Sequence, residues 1–157
     1  MRKIIFILFI AIIFSCKSKK AVTVEKATVF IKLEDLNLTI KNRAYNLGKR
    51  LLESCNTSRF KAFSTSDATD KVIQNATPEK IAIICKKINQ RNGRFLGLNL
   101  IDVLRNKATD EYIFRYSIVY EKKYFKRELK VTINNENKVS AISTQEINSK
   151  SSLTENR

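Results

Sequence analysis

Histidine is absent from the 157 residues, which removes Ser-His-Asp and Cys-His catalysis, histidine zinc sites and imidazole acid-base work from the chemistry open to this chain. A carboxylate working with a tyrosine, or a thiolate, remains. There are three cysteines, Cys16, Cys55 and Cys85, with no CxxC pair among them. Cys55 and Cys85 have two readings. A disulfide is chemically permitted in an oxidising compartment, whereas Cys85 also falls on the apolar face of a predicted helix, where a buried reduced cysteine is common. Gly-rich phosphate loops, metal-spaced carboxylates and internal repeats are all missing, and no cofactor is implied.

The stretch that places Cys16 is more telling. Arg2 and Lys3 precede an uninterrupted apolar run from Ile4 to Phe14. That is the pattern of a secretory leader, and at about 11 residues it falls well short of the roughly 20 that span a bilayer. Ordinary signal peptidase fits poorly, because a cut after Ser15 puts Ile13 at minus three. Ile13-Phe14-Ser15-Cys16 instead resembles a bacterial lipobox, although Phe14 is bulkier than usual there. The resemblance implies that the Cys16 thiol receives diacylglycerol, that residues 1–15 are removed, and that the new amino terminus is acylated. Two or three acyl chains at about 0.8 kcal/mol per buried methylene hold a domain on a membrane where one lets go. Lys17 follows the cysteine, where aspartate would signal retention in the inner membrane, so the expectation is an outer-membrane lipoprotein facing the periplasm.

The formal charge is +15, and removal of Arg2 and Lys3 with the leader leaves +13. Such a surface attracts anionic neighbours. Nucleic acid is not expected of a secreted lipoprotein, and the basic residues are scattered as they are on solvated faces. The partners to expect are the membrane through the lipid anchor, and an envelope protein, an apolar small molecule or an anionic envelope polymer.

The elements come in two textures. Residues 16–35 read as the lipidated cysteine and a polar tether, with Thr28 to Leu33 as an unconfirmed short strand. Ile40, Ala44, Leu47, Leu51 and Cys55 recur at steps of four and three and predict a helix capped by Asn37 or Thr39. Ser66 to Asn75 reads as a shorter helix with Ser66 as its cap. Thr77-Pro78-Glu79 is a strong helix start, continued by Ile81, Ile84, Cys85 and Ile88 and stopped by Asn92-Gly93. After Gly93 the period becomes two. Four strands are predicted, over 94–105, 111–121, 124–134 and 139–147, with Gly97 marking a bulge or a close approach. In the second of them Tyr112, Phe114, Tyr116, Ile118 and Tyr120 share a face. Short polar turns imply antiparallel pairing. The tail, 148–157, has almost nothing to bury.

Helices followed by a four-stranded antiparallel meander make an α+β domain over 36–147, with one sheet face covered by the helices. This order, the long second and third strands and the Ala62-Phe63-Ser64 junction resemble the nuclear transport factor 2-like (cystatin-like) superfamily, and within it small lipoprotein domains of unknown function. The resemblance implies a curved, cone-like sheet around a long first helix. In the enzymes of that superfamily acidic and aromatic residues work inside the cone, and by element position Asp102 with Tyr112 or Tyr116 could be put there. Asp102 follows Ile101 near a strand end, with no second polar residue at a telling spacing in the sequence, and reads as a surface acid; the tyrosines read as core or rim aromatics with their hydroxyls directed to water. The expectation is a non-catalytic binding domain. The alternatives are a cone-fold enzyme using Asp102 and the tyrosines, or a basic surface that holds anionic polymer.

Overall fold

A computed structural model describes residues 28–147. The leader, Cys16, most of the tether and the tail at 148–157 lie outside the described residues. The order of elements is β1 (Thr28–Phe30), α1 (Leu38–Thr57), α2 (Asp70–Asn75), α3 (Pro78–Asn92), β2 (Phe95–Asn106), β3 (Glu111–Tyr120), β4 (Arg127–Ile133) and β5 (Val139–Glu146), with one 3-10 turn at Leu33–Asp35. The fold is α+β, with three helices on an open antiparallel sheet in the order β1-β2-β3-β4-β5. Five strands replace the four expected. The extra strand pairs Thr28 with Asn106 and Phe30 with Leu104, inside the stretch read as tether.

Helices α1 and α3 each begin where a side chain takes up a free amide, whereas α2 has no such cap. Asn37 Oδ1 accepts the Thr39 N–H at 2.8 Å to start α1, and Thr77 Oγ1 accepts the Lys80 N–H at 3.4 Å ahead of Pro78 to start α3. Ser66 caps nothing. Asp67 accepts the Ser64 N–H at 3.1 Å and an Arg50 N–H at 2.8 Å, which holds 64–67 in a turn. Ala68 then pairs in parallel with Val139, so α2 cannot begin until Asp70.

Helix α1 lies on the sheet through Ala44, Leu47, Gly48, Leu51 and Leu52. At Gly48 the approach is closest: a Cβ there would stand 2.7 Å from Leu129 Cδ2 and 3.2 Å from Val131 Cγ2. The covered sheet face supplies Val103, Phe114, Tyr116, Leu129, Val131, Ile133 and Val139, all almost fully buried. Cys55, near the end of α1, is joined to Cys85 in mid-α3 by a disulfide. Strand β2 is bulged twice, between Phe95 and Gly97 and between Leu100 and Asp102. Such bulges add twist and bend to a sheet. Gly97 stands beside the first and meets no close approach, since a Cβ there would find nothing within 4 Å.

Candidate functional site: an apolar cleft beside an edge strand

The second bulge decides what Asp102 can do. Leu100 pairs with Tyr116, but Asp102 pairs with Arg115, so two residues of β2 are spent against one of β3 and the alternation changes parity. Asp102 therefore lies on the open face of the sheet, 3.5 Å from Arg115 Nε. The same guanidinium is held by Glu128, with Nε at 3.0 Å from Oε1, and Lys130 Nζ stands 3.9 Å from that oxygen. Glu128 is buried despite its position on the open face.

Tyr116 points the other way. Its ring is packed among the helices, edge-on to Tyr45 at 6.2 Å and stacked with Phe114 at 6.4 Å. Burial raises its hydroxyl above the ordinary tyrosine range, with the Tyr45 phenol adding to the effect. That hydroxyl has no hydrogen-bond partner among the described residues. Burial likewise pushes Tyr120 up to about 12, against the opposing influence of Arg127. Tyr112 sits near the far end of β3 with the Arg105 guanidinium 5.5 Å from its ring centre. Asp102 and Tyr116 are thus on opposite faces, and the three candidate residues do not converge. Among the described residues no group of three or more His, Cys, Asp or Glu is placed to hold a metal ion.

Space for a ligand opens elsewhere. A cleft of about 280 Å³ runs between β5 and the pair α2–α3. Leu51, Leu52 and the Cys55–Cys85 disulfide form its floor, Val72 and Ala76 one end, Ile81, Ile84 and Ile88 the helical wall, and Ile142 and Thr144 the strand wall. Ile84 is 47 % exposed at the mouth, so the apolar lining continues to the surface. A larger hollow of about 460 Å³ on the other flank of α3 is lined by Phe60, Pro78, Ile81 and Ala82 together with Ser54, Ser58, Lys86, Asn89 and Gln90.

The strand wall is also the edge of the sheet. The Ile147 N–H donates to Lys126 O at 2.9 Å, and the register pairs Glu146 with Arg127, Thr144 with Leu129 and Ile142 with Val131. Antiparallel alternation then turns the N–H and C=O groups of residues 141, 143 and 145 toward β4, and those of Ile142, Thr144 and Glu146 outward. The start of this edge is already used: the Val139 N–H donates to Asp67 O and the Thr69 N–H to Val139 O, both at 3.0 Å. Beyond Val139 no strand among the described residues pairs with it.

Sequence reasoning reached the helix wall of this cleft through the spacing of Ile81, Ile84, Cys85 and Ile88, and missed the strand wall. The signal for the latter is weak: Val139 to Glu146 contains no lysine and no proline, the residues that commonly guard an exposed edge. No protein-family model, no curated protein and no solved structure matches this chain.

Proposed function

We propose that the chain is an outer-membrane lipoprotein, attached through acylated Cys16, whose periplasmic domain is a non-catalytic binding module with the α3–β5 cleft as its site. The carrying observation is the cleft itself, apolar from its floor at Leu51 and Leu52 to Ile84 at the surface. Concave, mostly apolar sites with a few polar groups at the rim are the usual form of a binding site. The Cys55–Cys85 disulfide supports an oxidising compartment. Within this reading the sheet is the cone-like one of the nuclear transport factor 2-like superfamily, to which bulges such as the two in β2 would contribute bend. The separation of Asp102 from Tyr116 across the sheet favours binding over carboxylate–tyrosine catalysis.

Two measurements test this. The intact mass of protein recovered from membranes should lack residues 1–15 and carry acyl chains, both lost in Cys16→Ala; an unacylated mass removes the anchor. A secreted version beginning at Lys17 should bind the dye 1-anilinonaphthalene-8-sulfonate saturably. Ile84→Glu should abolish that binding, and Ile83→Glu, on the exposed side of the same helix, should keep it. No saturable binding, or equal loss in both variants, removes the cleft as the site.

A further inference from the structure

Resting on the cleft as the binding site, we propose that its natural occupant is an extended acidic segment of a partner protein, added to the free edge of β5 as a sixth strand. Three observations converge on this. First, the outward amides and carbonyls of Ile142, Thr144 and Glu146 form a ready template for another strand. The chain itself uses the start of that template, where 67–69 pairs with Val139 before α2 turns away. An incoming strand continues the same line from the point where the protein's own segment leaves it.

Second, the cleft lies directly beside this edge, and its volume of about 280 Å³ is at or below the lower end of small-molecule sites, about 300–1,000 Å³. Alternate residues of a strand recur on one face about every 7 Å. Side chains at two such positions can enter the cleft against Ile84 and Ile88 while the backbone pairs with β5. The pocket then selects apolar groups, and the backbone bonds give affinity.

Third, the helical rim is basic. Lys71 lines the cleft from α2, and Lys80, Lys87 and Arg91 lie four residues before and three and seven residues after Ile84 on α3, which places them on its side of the helix. Arg91 is paired with Glu146 at 3.1 Å, whereas Lys71, Lys80 and Lys87 have no carboxylate within 4 Å among the described residues. Carboxylates flanking the apolar residues of the incoming strand complement that rim. The chain's own residues 148–157 do not: they hold Lys150 and Arg157 against Glu155, and Leu153 alone is a large apolar residue. A second copy pairing edge to edge would bring two basic rims together.

The test uses the full chain recovered from membranes in detergent, and as probe a fluorescein-labelled eight-residue peptide of alternating glutamate and valine, followed by fluorescence polarisation. Three controls accompany it: the same peptide N-methylated at alternate amides in either register, a peptide with lysine in place of glutamate, and the Thr144→Pro chain, which deletes an outward N–H and keeps the backbone ladder to β4, with Thr144→Val beside it to account for the lost Arg127 bond to Thr144 Oγ1. The expected result is saturable binding that weakens at least tenfold with N-methylation in one register, with Thr144→Pro and with the lysine peptide, and falls several-fold between 50 and 500 mM salt. Equal binding of all N-methylated peptides overturns strand addition, and equal binding of the lysine peptide overturns the acidic partner. Binding gained only after deletion of 148–157, or a dimer that Thr144→Pro dissociates, assigns the edge to the chain itself and also overturns the proposal. Dye bound in the cleft as described above without peptide binding leaves the binding module standing and removes this inference alone; loss of both removes both.

Discussion

Replacing both Cys55 and Cys85 by alanine should unfold this domain far more readily, and the size of the effect follows from the chain. The disulfide joins residues 30 apart, and closing a loop of that length removes about 12 cal/mol/K from the unfolded ensemble, or about 3.7 kcal/mol at 25 °C. Unfolding about 120 residues carries an entropy near 0.25 kcal/mol/K, so the same loss lowers Tm by about 15 °C. Both cysteines are buried under the cleft, and truncation adds a small packing loss to the entropic one. Urea unfolding of three samples separates the two: oxidised protein, protein reduced with dithiothreitol, and the double alanine variant. Reduction keeps both sulfur atoms and should by itself lower stability by about 3 to 4 kcal/mol, with a larger m-value as the unfolded chain expands. The alanine variant should lie within about 1 to 2 kcal/mol below the reduced protein. If oxidised and reduced protein unfold at the same urea concentration, the loop argument is refuted.

Four further outcomes are expected. Asp67→Asn should cost about 1 to 2 kcal/mol at pH 7: burial works against the Asp67 carboxylate, but the Arg50 hydrogen bond and the Ser64 N–H outweigh it and hold its pKa below 3.8. A lowered carboxylate pKa adds stability above the unfolded value that is lost as pH falls through the folded one, so the wild-type advantage in urea midpoint should shrink from pH 5 toward pH 2; an advantage unchanged by pH would contradict the ion-pair account. At the alkaline end, Tyr120 is neutral in the fold up to about pH 12 and ordinary when unfolded. Its contribution is complete below pH 10 and lost between 10 and 12, and Tyr120→Phe should flatten that part of a Tm-versus-pH profile. Tyr116→Phe removes a buried hydroxyl with no partner among the described residues and should leave urea stability unchanged or raise it by about 1 kcal/mol; a loss above 1 kcal/mol would show that the hydroxyl is satisfied. Gly48→Ala gains up to about 1 kcal/mol of helix propensity but drives a methyl to within 2.7 Å of buried Leu129 Cδ2, an overpacking that costs about 1–3 kcal/mol, so thermal unfolding should show a net loss.

The sequence was legible where structure is local and ambiguous where it depends on distant pairing. Thr77-Pro78-Glu79 carries its own capping chemistry, and α3 begins there. The alternation of Tyr112 through Tyr120 is long enough to fix β3 and its buried face. Strand β1 is three residues whose only justification is the far end of β2, and the delayed start of α2 depends on Val139, some seventy residues away. Neither leaves a periodic trace. Element position alone offered Asp102 to the cone, and element position carries no trace of a bulge: one extra residue reverses every later assignment on a strand, and the ladder puts Asp102 on the face opposite Leu100, where a surface acid belongs.

The candidate site was half visible, and the visible half shows how such sites can be sought. Ile81, Ile84, Cys85 and Ile88 satisfy the spacing of a buried helical face, a pattern that by itself asks for all four to be covered. In the fold Ile81, Cys85 and Ile88 are covered and Ile84 is left 47 % exposed. Opposite it the sheet ends at β5 among the described residues, so none of them supplies the next strand that would cover Ile84 in a longer sheet. An apolar position in phase with the core but facing a sheet edge therefore shows one deficit twice, as uncovered side chain and as unpaired backbone. One extended segment satisfies both at once, whereas an apolar small molecule satisfies only the first.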